Sequence, residues 1–286
     1  MGSHASRRLL TEPEADAIVD GLRRGIVRRV EDARFPDRYQ VRLRKLGDVA
    51  FINAELWLTV EGGFVGRGRL ERCEFIDCVL DPLTIFKSDV RDSSFDGVKI
   101  GARAMGIVDG CRLEAVRMAS CRVSDFAFRN GRLADVDIAD TTIDAVRFES
   151  CSLDRVGIAG ALDDVPFLRC DFTGSRVAGS PAVDVAFHDW IGADVTLPQA
   201  RDGFFVTPDQ LRADLDRLTP DMSAATREHL IRDVLADVVG LVVVSEIALR
   251  RELPTAPGEV ATIVDALHPH RLRRLADVVQ QTRGVH

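Results

Sequence analysis

The sequence predicts a mainly β chain built around a narrow solenoid, with a helix-and-strand cap before it and a helical domain after it. Three observations carry that expectation. A bulky apolar residue recurs at every fifth position from about Leu70 to Phe187, a small residue sits two places before most of them, and both flanks change to other periodicities.

The repeat runs Leu70, Phe75, Leu80, Ile85, Val90, Phe95 and Ile100, slips by three residues through Val108, and resumes at Leu113, Met118, Val123 and Phe128. It continues at the same spacing to Ile158, slips again through Leu162, and ends on Phe167, Phe172, Val177, the weak member Ala182, and Phe187. The small positions include Cys73, Cys78, Ser88, Ser93, Cys111, Cys121, Gly131, Thr141, Cys151 and Cys170, with Leu83 and Phe126 as large exceptions. One large and one small inward residue per quintet is what a square coil requires. The other positions face solvent and carry residues such as Arg112, Glu114, Arg132, Asp135, Asp154 and Arg155.

The stretches Cys73-Glu74-Phe75-Ile76-Asp77, Cys121-Arg122-Val123-Ser124-Asp125 and Cys170-Asp171-Phe172-Thr173-Gly174 resemble the loose motif of the pentapeptide-repeat family: small, polar, Leu or Phe, polar, any. The resemblance implies a right-handed quadrilateral parallel β-helix with four quintets per coil. At a strand spacing of roughly 4.8 Å, about six coils make a rod on the order of 30 Å long. The open edges of its terminal coils need caps.

The flanks are read as those caps. Residues 1–60 form the N-terminal one: Thr11, Glu12, Pro13 and Glu14 make a capping box with proline just inside a helix expected from Glu12 to Asp32. Ile18, Val19, Leu22, Ile26 and Val30 give its apolar face. Alternation at Tyr39, Val41 and Leu43, and the run Phe51 to Val60, predict strands leading into the first coil, with Val60 and Val65 already in phase. The solenoid proper is assigned to 61–190 and the remainder, 191–286, to a linker and a helical domain. Trp190 to Phe205 reads as an irregular link, and Thr207 opens a short helix. A long helix is expected from Asp221 to Glu252, its centre Val238 to Val244 apolar all round; two shorter helices follow at Gly258 to Leu267 and His270 to Thr282. A homodimer through these helices is the expected assembly. The slips at Gly101 to Gly110 and Ala159 to Asp164 are expected to bulge as loops from the rod.

Charge and motif content narrow the function. A net charge of −7 disfavours direct binding of nucleic acid, which needs a basic face. The run Val238 to Val244 is far shorter than the roughly 20 apolar residues of a membrane span, and no signal-peptide pattern opens the chain, so a cytoplasmic location is expected. All six cysteines fall in the small inward position and read as packing groups; no CxxC, HExxH, GxSxG or Walker pattern occurs. Gly66 and Gly68 do not make a phosphate loop, and Asp163 and Asp164 read as solvated turn residues. No enzyme activity, metal or cofactor is expected.

The leading functional reading is a protein-interaction scaffold. Its candidate surface is acidic at Glu74, Asp77, Asp96, Asp163 and Asp164 and apolar at Ile76, Val79 and Phe86. Resemblance to the family's gyrase-modulating members implies an alternative: an acidic rod that imitates duplex DNA and inhibits or protects a type II topoisomerase. Residues 64–190 hold 21 acidic and 16 basic side chains, an excess that supplies patches and not a continuous stripe. A third reading places a small ligand-binding or catalytic unit in the C-terminal helices.

Overall fold

The computed structural model describes residues 6–63, 66–101, 105–177, 182–188, 203–206, 223 and 241–245. They form a parallel β-solenoid of about seven turns, preceded by one helix.

Each turn lays down short segments in sequence, and every segment pairs in parallel with its counterpart one turn later, so four rows of side chains run along the rod. The first side stacks Val30, Phe51, Phe75, Phe95, Met118, Ile138, Ile158 and Val177. On the second stand Leu56, Leu80, Ile100, Val123, Ile143 and Leu162. Leu43, Val60, Ile85, Val108, Phe128, Phe148, Phe167 and Phe187 make the third. Leu46, Leu70, Val90, Leu113, Leu133, Leu153 and Phe172 make the fourth. Equivalent residues meet one strand spacing apart. Phenylalanines in one row therefore stack face over face, as in Phe128 on Phe148 at 4.9 Å and 3°, and Phe148 on Phe167 at 4.8 Å and 12°.

Two local devices turn the corners. Two residues past nearly every bulky one, the backbone enters the left-handed region, most often at Asp (Asp77, Asp92, Asp125, Asp135, Asp140), and at Asn130, Gly97 and Gly174. Asp and Asn tolerate that conformation better than other side chains. The corner N–H then donates to the next turn, Asp77 to the Asp96 carbonyl at 2.8 Å and Asp135 to that of Asp154 at 3.0 Å. The small inward residue supplies the second device. Ser93 Oγ donates to the Arg91 carbonyl at 2.7 Å and Thr141 Oγ1 to that of Ala139 at 2.9 Å, and Cys111 Sγ does the same for Asp109 at 3.2 Å. Cys, Ser and Thr recur here because they are compact and also satisfy a buried carbonyl.

The parallel rows reach back to Val30, so the strands between Arg29 and Glu61 stack as turns of the solenoid itself. The helix spans Glu12–Arg23 and stops well short of Asp32. Gly25, at φ +67°, takes the left-handed position after its last turn, and Val30 is then free to enter the first row. At its other end the Thr11 N–H and hydroxyl both donate to Glu14 Oε2, at 2.8 and 2.9 Å.

The slips resolve differently from the expectation of two loops. Ala159 to Asp164 does not bulge: the strand Gly157–Leu168 is continuous, and Leu162 simply follows Ile158 one residue early in the next row. The shortened corner brings Gly160 so close to Thr141 that a Cβ would lie 2.0 Å from its carbonyl oxygen. At the first slip, Ile100 and Val108 occupy successive rows and the extra residues are taken up between them; 102–104 lie outside the described residues. Gly106 there leaves room for one of the two large exceptions, Phe126: its Cβ would meet the Phe126 ring at 2.2 Å and the Leu83 carbonyl oxygen at 3.0 Å. A cavity of about 30 Å3 adjoins them, lined only by apolar side chains. A further irregularity lies between Val60 and Leu70, successive members of the third and fourth rows separated by ten positions and not five. Gly62 and Gly68 pinch its base, and Arg67 ties it down through Asp89 and the carbonyls of Ser88 and Gly110. Val65 lies outside the described residues.

The expected helix centre at Val238 to Val244 is corrected. Leu241–Ser245 is a strand, antiparallel to the last strand of the third side through Phe187 and Leu241, and Gly203–Val206 pairs with its other edge. The latter strand overlaps the end of what read as an irregular link from Trp190 to Phe205. Three consecutive β-branched valines favour the extended chain, and the edge of the terminal turn offers a ladder to extend. The other helices expected after Thr207 lie outside the described residues.

Three outcomes follow. Phe148→Ala empties the middle of the third-row ladder and should cost about 3–5 kcal/mol in denaturant unfolding, against within about 0.5 kcal/mol for the neighbouring outward Arg147→Ala. Gly160→Ala should destabilise by more than about 1 kcal/mol, because the added methyl meets backbone that cannot yield. Hydrogen bonds from Thr11 and Arg8 lower the Glu14 carboxyl from 4.5 to about 2. Its folded value lies below its unfolded one, so its stabilising contribution is present above about pH 4.5 and is lost as pH falls toward about 2. Glu14→Gln should flatten that part of the acid-unfolding curve and leave the rest unchanged.

Candidate interaction surface

Outward positions place charge differently on the four sides. On the third and fourth sides, carboxylates and guanidinium groups pair mostly between successive turns. Glu149 takes Arg169 at 2.6 Å and Arg129 at 3.4 Å; Arg155 reaches Asp135 at 2.7 Å and Asp154 at 2.8 Å; Arg91 reaches Glu114 at 3.3 Å. Apart from the adjacent Arg155 and Asp154, these pairs connect residues about twenty positions apart because that is one circuit of the coil. The Arg155 guanidinium holds the Asp135 carboxyl below the usual carboxylate range.

The first and second sides are organised otherwise. From Glu74 onward, among the described residues, Glu74, Asp77, Asp96, Asp125, Asp137, Asp140, Asp144 and Asp164 make no ion pair. The cations on these sides, Lys99, Arg117, Arg122 and Arg176, are exposed and fewer. Two adjacent sides are thus acidic with free carboxylates, and on the other two most carboxylates are paired with arginines.

The residues anticipated as an interaction surface divide into three places. Glu74, Ile76 and Asp96 share the first side, Ile76 and Asp96 in register one turn apart. Asp77 stands at the following corner, its carboxylate over Gly97, and Val79 opens the second side. These five form one half-apolar, acidic patch. Part of it is bordered by the N-terminal segment, since Arg7 donates to the Asn53 and Asp77 carbonyls at 3.3 and 3.1 Å. Phe86 lies apart on the third side, half-buried under the Lys87 ammonium at 5.0 Å. Asp163 and Asp164 lie far along the second side, where Asp144 and Asp163 are register partners.

Two features escaped the sequence reading. Asp125, Asp144 and Asp164 line successive turns of the second side, Asp144 at an outward position in register with Ser124 and Asp163, and Asp125 and Asp164 at the corners. A depression on the fourth side depends on which short side chain stands in a column of long ones.

Among the described residues, no three His, Cys, Asp or Glu side chains gather as metal ligands, and no helix is long and apolar enough to cross a membrane. All six cysteines are free and buried. Burial pushes the Cys73 and Cys111 thiols up to about 11 and raises Cys78 and Cys121 as well. Cys151 and Cys170 stand in successive turns, each thiol against backbone carbonyls, Cys151 at those of Phe128 and Glu149 and Cys170 at those of Phe148 and Leu168; the neighbouring Cys151 thiol and burial raise Cys170. Native protein at pH 8 should therefore react negligibly with an aromatic disulfide reagent while the unfolded chain titrates all six thiols; rapid labelling of folded protein would show that these positions open readily.

Compared with models of known protein families and with curated proteins, the chain matches none, so its function has to be read from the rod and its surface.

Proposed function

We propose that this chain is a non-enzymatic protein-interaction scaffold built on a right-handed, four-sided coil of the pentapeptide-repeat type. What supports the repeat type is the five-residue unit itself: a small residue bonded to the preceding corner, a bulky residue in the shaft, and a left-handed corner two places on. The observation that carries the functional reading is the filled shaft. Large side chains occupy it turn after turn, and the cavity of about 30 Å3 beside Leu83 and Phe126 is lined only by apolar side chains. Recognition then falls to the outer sides, where the patch of Ile76 and Val79 ringed by Glu74, Asp77 and Asp96 combines apolar area with charge. A protein partner with a small apolar knob and flanking cations fits it.

The second reading, imitation of DNA toward a type II topoisomerase such as gyrase, is favoured by one observation: the free carboxylates of the first and second sides. Arg117, Arg122 and Lys99 interrupt them, and most carboxylates of the other two sides are paired with arginines, which weakens any phosphate-like stripe.

Affinity capture from the native host with wild-type protein and with Ile76→Arg/Val79→Arg separates the two. The scaffold reading expects a protein partner lost with the double variant, and neither inhibition of gyrase supercoiling nor protection from a fluoroquinolone at micromolar protein. Inhibition or protection that disappears with Asp125→Asn/Asp144→Asn would establish the DNA-mimic reading in its place.

A further inference from the structure

We propose that a basic groove on the fourth side binds an acidic segment of a partner protein, with a carboxylate of that segment bridging Arg112 and Arg132. The inference rests on the scaffold reading and names the chemistry of one partner. The groove encloses about 450 Å3, with Arg91, Arg112, Arg132 and Arg155 at its rim and Ala134 contributing apolar surface. It exists because of Ala134. In the outward column of this side, Glu114 stands one turn before and Asp154 one turn after, and the methyl group between them leaves a gap.

Charge around the gap is unbalanced in a specific way. Arg91 is matched by Glu114 at 3.3 Å and Arg155 by Asp135 at 2.7 Å, so the outer rim is held in place by its own ion pairs. Arg112 and Arg132 are direct register partners, one strand spacing apart. Like charges set opposite each other in a sheet repel. Among the described residues Arg112 makes no ion pair, and Arg132 has only Asp154, at 3.6 Å. Two adjacent guanidinium forks with surplus positive charge present the donors that a carboxylate accepts in bidentate fashion.

A protein segment fits better than a nucleic acid. Glu114 and Asp135 also line the groove and would repel a continuous run of phosphates. A peptide brings separated carboxylates, and its aliphatic stems can lie on Ala134.

The test is fluorescence anisotropy at low salt with the full chain, using labelled oligoglutamate and labelled oligothymidylate as probes. Oligoglutamate should bind saturably, weaken with salt, and lose affinity by about tenfold or more in both Arg112→Ala and Arg132→Ala. Arg122→Ala, which removes a free cation from the second side, should bind as wild type. Both groove arginines are exposed, and unchanged circular dichroism and melting will show that the variants fold. Absent binding, equal binding by all variants, or tighter binding of oligothymidylate through the same arginines would overturn the proposal. Failure here and failure of the scaffold reading are distinguishable. A wild-type chain that captures a host partner but binds no oligoglutamate would refute the groove alone, whereas a wild-type chain that captures no partner would refute the scaffold.

Discussion

The structure depends on one constraint: each turn must present its backbone and its shaft residue in register with the turn before. Parallel pairing at one strand spacing leaves room for a single layer of side chains per turn. A residue in the shaft therefore touches mainly its own row above and below and its counterparts across the coil. The face-to-face stacks of Phe51, Phe75 and Phe95, and of Phe128, Phe148, Phe167 and Phe187, are consequences of that register. So are the ion pairs outside, since Arg155 can reach Asp135, and Arg169 can reach Glu149, only because one circuit returns them to the same side.

Register also explains how the chain accommodates residues that do not fit the period. An extra stretch between Val60 and Leu70, an insertion after Ile100 and a deletion after Ile158 all fall at corners, and each is closed by a glycine pressed against neighbouring atoms: Gly62, Gly101 and Gly160. The rows resume undisturbed on the far side. A coil of this kind tolerates changes in corner length because the hydrogen bonds that matter lie between turns and not within them.

The period of five and the row memberships from Leu70 onward were legible because the shaft admits only bulky apolar residues and the environment repeats without change. The earlier turns were harder to read: Leu43 and Leu46 stand three positions apart, and the capping helix shares its apolar spacing with Val30. Gly25 was the available signal for the helix end. The valines at 242–244 supplied a helix-or-strand ambiguity that only the waiting edge of the last turn resolves. At the surface, the patch around Asp77 could be anticipated from outward positions in neighbouring turns. The fourth-side groove could not, because it arises from one alanine among longer neighbours and from which arginines find partners. Corner chemistry stood in plain view, as Asp and Asn two places after the bulky residue, but its meaning requires the backbone angles.

Amide hydrogen exchange is the most direct measurement of the register on which all of this depends. Asp77, Asn130, Asp135 and Ser150 have side chains at corners on the outside of the rod, yet each N–H donates to the next turn, at 2.8 to 3.0 Å. Protection at these amides comparable to that of the shaft residues is the predicted result. Exchange at the rate of exposed loops would mean that the turns do not stack in this register, and the rows, the ion-pair ladders and the surfaces read from them would fall together.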